Sequence, residues 1–439
     1  MSLDPFDHRR RVATLVACLT LAGMPLAYAG DAVTIEQLRE EVRVLRAEQA
    51  ERERRLQRLE STLAALAGDA GPQGEGAAPP TGPARHSLAS AMPVATPEPS
   101  ARLKVTGDLR LRGQADWSDD DGKNRGSMQL RGRLGATYAV SDRISIGARL
   151  ATGDSDDPNS SDVQLSNWLD DLEVSLDMAY VQFNFDRLTL YGGKMPQPFV
   201  RTDLVWDGDV NPQGLGAIWR QPQANGGSLR ANALAFVVDE SAGGPDSTML
   251  GAQLGYESPR TGDWKFDVHG AYYHYDLGSL AGADGGDLRT NLLDVDGRYL
   301  SDFRLANLLM GVGYSGWSER WPLRLGVDYV RNLGAATDAD TAYGADLSIG
   351  TTSAPGDWKF TYGYAVAQAD AVLAAFSQDN IGIGTNYRMH GLTVDYVPVP
   401  GTQLSLYWYH YKPYSDRYPV GHDPDDWLDR LRLAFLVSF

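Results

Sequence analysis

The chain has 439 residues, 43% hydrophobic and 22% charged, with 47 glycines, one cysteine and a net charge of −17. So acidic a protein is a poor partner for nucleic acid, whose phosphates demand an excess of Lys and Arg. Its 21 Tyr, 11 Phe and 10 Trp rule out wholesale disorder, and no interior run reaches the roughly 18 apolar residues of a membrane helix.

His8, Arg9, Arg10 and Arg11 precede an apolar run that ends at Ala27-Tyr28-Ala29. A basic start, an apolar middle and small residues at the cut site predict a secretory signal peptide over residues 1–29. Pro25 and the short run weigh against a membrane anchor. Leu15-Val16-Ala17-Cys18 imitates a lipoprotein site but lies too close to the arginines. Cleavage after Ala29 removes the only cysteine, which excludes disulfides and thiol catalysis in the mature chain.

Residues 30–66 carry a heptad seam. Ile35, Val42, Leu56 and Leu63 fall at a, and Leu38, Leu45, Leu59 and Leu66 at d; Gln49 and Arg52 fill the remaining pair. A seam with charged flanks predicts a periplasmic coiled coil, about 48 Å long at 1.5 Å per residue. A single amphipathic helix packed on its own domain is the plainer alternative. Residues 67–100, rich in Ala, Gly and Pro, read as an extended linker.

From residue 101 the pattern changes to period two. Leu103, Val105, Leu109, Leu111 and Trp117 alternate with Lys104, Asp108, Arg110, Arg112 and Asp116. Met128, Leu130 and Leu134 alternate likewise with Gln129, Arg131 and Arg133, and Leu431, Leu433, Phe435, Val437 and Phe439 with Arg430 and Arg432. Strands of about ten residues with one apolar and one polar face predict an all-β transmembrane β-barrel over 101–439. Closure matters because only helices and closed barrels satisfy every backbone group in lipid. The ending Phe435, Val437, Phe439 resembles the signal read by the outer-membrane assembly machinery. Short turns near 141–143, 186–187, 258–263, 315–321, 352–357 and 397–401 alternate with longer loops, giving about sixteen antiparallel strands with both barrel ends in the periplasm. Gly262-Asp263-Trp264-Lys265-Phe266 recurs as Gly356-Asp357-Trp358-Lys359-Phe360, a turn that delivers a Trp to the interfacial girdle.

With apolar faces toward lipid, Arg110, Arg112, Arg131, Arg133, Arg149, Arg430 and Arg432 gather on one inner wall, with Lys104 nearby, because the last strand must pair with the first. Water in a channel tolerates such a wall, where it acts on passing ions. Pairing with Asp108 and other local carboxylates is the alternative. Between strands near 188–192 and 215, the segment holding Lys194, Arg201, Asp203, Trp206, Asp207 and Asp209 is broken by Gly and Pro. Turned inward it narrows the pore and sets its aspartates against the arginines; turned outward it is an ordinary external loop.

Ala179-Tyr180-Val181-Gln182-Phe183, Gly193-Lys194-Met195-Pro196-Gln197-Pro198-Phe199, Thr202-Asp203-Leu204-Val205-Trp206-Asp207-Gly208-Asp209, Asp370-Ala371-Val372-Leu373-Ala374-Ala375-Phe376 and the terminal Phe resemble the putative outer-membrane porin family of Gram-negative bacteria. The likeness covers nearly all of 101–439 and implies a porin barrel, often preceded by a coiled coil, without implying a solute. The heptad-then-barrel layout also looks like phosphate-selective and sucrose porins, whose lysine ladders and aromatic slides are not evident here.

Asp154, Asp156, Asp157 and Asp162 offer the oxygen ligands Ca²⁺ takes, but without EF-hand spacing, so a solvated loop is the plainer reading. Acidic loops also suit divalent ions shared with lipopolysaccharide. The histidines are scattered, with no His-Glu-x-x-His, and no Gly-x-Ser-x-Gly elbow is present, so no enzyme is expected. The sequence thus predicts a trimeric outer-membrane porin for small hydrophilic solutes or ions, without cofactor. A structural barrel that tethers the membrane to peptidoglycan or a periplasmic partner is the alternative.

Overall fold

The computed structural model describes residues 102–118, 124–153, 160–165, 172–241, 245–278, 290–418 and 420–439. The signal peptide, the heptad seam from Ile35 to Leu66, the linker, and Asp154, Asp156 and Asp157 lie outside these residues.

Among the described residues, sixteen antiparallel strands form the wall. They are β1 (Leu103–Ser118), β2 (Arg125–Ala139), β3 (Ile144–Thr152), β4 (Val174–Asn184), β5 (Leu188–Lys194), β6 (Gln213–Pro222), β7 (Ser228–Asp239) and β8 (Ser247–Glu257). The second half comprises β9 (Trp264–Leu277), β10 (Arg304–Tyr314), β11 (Leu323–Asn332), β12 (Thr341–Gly350), β13 (Trp358–Ala367), β14 (Tyr387–Tyr396), β15 (Thr402–Pro413) and β16 (Leu428–Ser438). A further two-residue piece, Val163–Gln164, pairs with Leu130 and Gln129 of β2 and is no wall strand. Each strand bonds to its sequence neighbours, and β16 pairs with β1 from Asp108↔Ser438 to Ser118↔Leu428. The sheet therefore closes, leaving no edge.

The alternation sorts side chains as lipid requires. On β8, Leu250 and Leu254 are 60% and 71% exposed, whereas Met249 and Gln253, each just before one of them, are 0% and 1%. A soluble sandwich has the opposite arrangement, with its apolar side inward. The repeated Gly-Asp-Trp-Lys-Phe segments do the same job twice. Gly262 and Gly356 take positive φ in their turns, and Trp264 and Trp358 then face outward beside Tyr314 and Tyr396, with ring centroids 4.6 and 4.5 Å apart. These rings mark the short-turn end of the barrel, where both β1 begins and β16 ends.

The longer connections leave the opposite end, and two of them turn into the barrel. The loops at 195–212 (between β5 and β6) and 368–386 (between β13 and β14) share one apolar cluster with inward side chains of the wall. Gly193 and Gly214 sit opposite each other in register at the mouth of the first loop, with φ of +113° and +138°. A Cβ would lie 2.4 Å from the Ala179 carbonyl oxygen at one and 2.1 Å from that of Ala235 at the other. Only glycine allows the chain to leave the wall at that angle.

Candidate constriction of the channel

The loop at 195–212 is held by a packed core and by polar ties. Trp206 is fully buried and stacks on Phe376 of the other loop at 5.7 Å, edge-on to Tyr273 of β9 at 5.7 Å. Met195, Phe199, Leu204, Val205 and Val210 are buried with it, each gaining about 1.5–3 kcal/mol for full burial that an outside loop would forgo. Gln253 of β8 clasps Val200 through both its backbone groups, accepting at 2.9 Å and donating at 2.7 Å. Arg230 donates to the Pro198 carbonyl at 2.8 Å, and the Thr202 hydroxyl bonds to Asp328.

The two loops are joined through backbone bonds. The Asp207 N–H donates to the Phe376 carbonyl at 2.8 Å, and the Gln378 N–H to the Asp203 carbonyl at 2.9 Å. The second loop is in turn pinned by Asn291, which accepts from the Ala374 N–H at 2.7 Å and donates to the Ala369 and Val372 carbonyls. Sequence reasoning did not place residues 368–386 in the lumen. A signal was present, since Ala371-Val372-Leu373-Ala374-Ala375-Phe376 is an apolar run within a connection and needs cover.

The seven arginines do gather on one inner wall, on β16, β1, β2 and β3, and most are ion-paired. Asp162, from the loop after β3, lies 2.5 Å from both Arg110 and Arg112. Asp108 meets Arg131 at 3.1 Å and Arg133 at 2.8 Å. Asp177 pairs with Arg149, and Asp116 with Arg430 at 2.5 Å. Arg432 has Gln114 at 2.7 Å and the Asn380 side chain at 3.3 Å in place of a carboxylate. Arg112, Arg131 and Arg432 are only 6%, 6% and 3% exposed, so pairing with nearby carboxylates and amides, the alternative weighed for this wall, describes most of it. Like charges so close settle only when carboxylates and amides are threaded between them. Lys104 stands apart near the short-turn end, exposed, and neither it nor half-buried Lys194 makes an ion pair among the described residues.

The three aspartates of the first loop part company. Asp209 alone reaches the arginines, at 3.1 Å from Arg133 and 3.8 Å from Arg131, with the Ser161 hydroxyl at 3.0 Å. Burial would raise its pKa, yet Arg131, Arg133 and Arg110 outweigh that and hold the carboxyl at about 2. Asp207 is buried without a cation. It accepts the Asp209 N–H at 2.8 Å, and burial together with Asp203, Asp379 and Asp209 pushes it well above the usual carboxylate range. Asp203 lies deep in the barrel although half its side chain meets lumen water. Arg201 is 3.5 Å away and Asn380 donates to it at 3.2 Å; Arg201 also holds the Trp206 carbonyl at 2.8 Å. Trp206 is thus a core residue of the loop rather than a lining residue.

Among the four candidate calcium ligands, Asp162 is described and is engaged by Arg110 and Arg112. The histidines are less scattered than the chain order suggests. His390 and His410 face each other in register on the outer face of β14 and β15, ring centroids 6.4 Å apart; His390 bonds to the Tyr362 hydroxyl and His410 to Asp429.

The family model described as "Putative porin" matches residues 117–282. The chain folds as a closed, porin-like β-barrel. Among solved structures it is similar to Pseudomonas putida OprB, with a TM-score of 0.51, 12% identity, and coverage of 77% of this chain and 94% of that one. It is also similar to the trimer form of OmpT, an outer-membrane protein of Vibrio cholerae, with a TM-score of 0.47, 10% identity, and coverage of 77% and 100%. A Rhodopseudomonas blastica porin variant gives 0.42, 10% identity, and coverage of 77% and 100%. At 12% identity the likeness to OprB is one of fold. Comparison with curated proteins gives no match.

Proposed function

We infer that this protein is an outer-membrane porin, a water-filled channel for passive diffusion of small hydrophilic solutes or ions. The family match and the closed sixteen-strand wall with an apolar exterior and a charged interior support it, and the single observation that carries it is the inward loop at 195–212. That loop places charged side chains inside a barrel whose alternation already demands a wet lumen. The lumen arginines and the loop aspartates set the field that solutes cross, and no covalent chemistry is asked of any residue. The same reading includes a homotrimer with its heptad segment in the periplasm, a leader removed on export, and acidic loops in contact with lipopolysaccharide at the outer surface.

Planar-bilayer recording of the purified full-length protein tests the channel. Stable ohmic steps are expected, and their absence across several lipid compositions would overturn the reading. Liposome swelling with sugars of graded size then measures the aperture. Native mass or cross-linking measurement decides the trimer, for which a monomer at all concentrations is the contrary result.

A further inference from the structure

Not every carboxylate inside the barrel is spent on a wall arginine. Asp108, Asp116, Asp162, Asp177 and Asp209 are each spent on a wall arginine. Asp379, on the second loop, is half-buried and has no ion pair or hydrogen bond among the described residues. It stands between Gln378, whose N–H donates to the Asp203 carbonyl, and Asn380, and its charge reaches Asp203, Asp207 and Arg112. Asp346, exposed on the inner face of β12, makes no ion pair among the described residues and lies within reach of the charges on Asp203 and Lys359.

Asn380 decides how the wall is presented. Its backbone carbonyl accepts from Arg430 at 3.1 Å, its side-chain oxygen accepts from Arg432 at 3.3 Å, and its amide donates to Asp203 at 3.2 Å. A neutral residue therefore covers the one wall arginine that lacks a carboxylate, while the carboxylate beside it stays unspent. Cations without a carboxylate of their own include Arg432 and Arg230, which is held on the Pro198 carbonyl; Arg201 is shared with Asp203, and Lys359 of β13 lies within reach of both Asp346 and Asp395. Rings of carboxylate select cations, and low-dielectric walls focus their field on the passage.

We propose that Asp379, carried into the lumen by the second loop, is a charge-selectivity determinant and that the constriction favours small cations over anions. The proposal rests on the channel reading and deepens it by naming the solute class. The test is reversal potential across a KCl gradient with the full-length protein in planar bilayers. Wild type is expected to prefer K⁺. Asp379→Asn should lower the K⁺/Cl⁻ permeability ratio several-fold, because one charge beside the ion path favours K⁺ and disfavours Cl⁻ at once, and Asp379→Lys should lower it further. Asp296→Asn, in an exposed connection outside the barrel lumen, should leave the ratio unchanged. Assembly of each variant is confirmed by heat-dependent gel mobility before recording. Anion preference in the wild type, or an unaltered ratio in an assembled Asp379→Asn channel, overturns the proposal. Absence of any conductance overturns the channel reading itself, a result distinguishable from either.

Discussion

Asp209 and Arg133 meet at 3.1 Å although 76 residues of chain separate them. One lies near the far end of an infolded loop and the other on the inner face of β2, so the loop is fixed at both extremities. Its start is clamped by Gln253 and Arg230, its middle by the apolar cluster, and its end by this ion pair.

Removing the pair's negative half tests the last clamp. Asp209→Asn leaves Arg131 and Arg133 with Asp108 alone and should weaken loop anchoring by about 2 kcal/mol, the scale of a hydrogen bond to a charged group. Single-channel records should show a larger and noisier open step. A variant indistinguishable from wild type in noise and amplitude would assign the anchoring to the apolar core alone.

The same aspartates predict how selectivity responds to acid. Burial raises Asp203 and Asp207 above the ordinary aspartate value of 3.8, while the arginines hold Asp209 at about 2. As pH falls, Asp203 and Asp207 therefore lose their charge first, at a pH above 3.8, and cation preference should decline in that window. Asp209 has a depressed value, so its contribution to stability is present above the ordinary range and is lost only as pH falls toward about 2. Reversal potentials taken from neutral to acid pH should shift while the step amplitude holds. Selectivity that stays flat until the channel itself fails would contradict the assignment.

Trp206 is the centre of the loop core. Trp206→Ala removes its contacts with Phe376 and Tyr273 and should cost about 3–5 kcal/mol of packing. Because the barrel wall does not depend on this ring, the variant should still insert, with flickering sub-states and faster uptake of larger sugars by liposomes. Trp358→Ala, at the outer girdle, is the contrast and should leave sugar size exclusion as it was.

Gly193 and Gly214 offer a backbone test. Gly214→Ala places a methyl 2.1 Å from the Ala235 carbonyl oxygen at a φ of +138°, where no rotamer change relieves the clash. The yield of heat-modifiable, membrane-inserted protein should fall sharply. Gly270→Ala, on the outer face with nothing within 4 Å, should assemble normally.

Barrel closure can be probed where the chain ends. Phe439 and Gly107 exchange two backbone hydrogen bonds at 3.0 Å, and a Cβ at residue 107 would meet the Phe439 ring at 2.5 Å. Gly107→Leu should displace the terminal ring and slow assembly, read as a delay in the gel-mobility shift during refolding. Val105→Leu, on the same outward face, should fold at the wild-type rate.

The wall was legible because its code is local. A strand of period two needs only its own residues to show which face meets lipid, so β1, β2 and β16 could be placed from Leu, Arg and Phe positions alone. The short turns also read directly, since Gly262 and Gly356 announce themselves beside Asp, Trp and Phe. The arginine wall needed one more premise, that the sheet closes, and pairing of β16 with β1 meets it.

The charge carried by that wall was not legible. Whether Arg110 faces water or Asp162 depends on where a loop 52 residues away comes to rest, and alternation says nothing about loops. The infolding of the second connection was not legible for the same reason, since its apolar run has no period and its ties lie far off in the chain, Asn291 being 78 residues from Ala369. His390 and His410 met only once two strands were set in register.

By itself, then, the sequence determined a wall of about sixteen strands with a lipid face and a water face, because lipid imposes that pattern residue by residue. Only the tertiary structure decided which charges remain free inside it. Ion pairing in a lumen is settled by distances of a few ångströms between segments far apart in the chain, and those distances exist only after closure and the infolding of two loops.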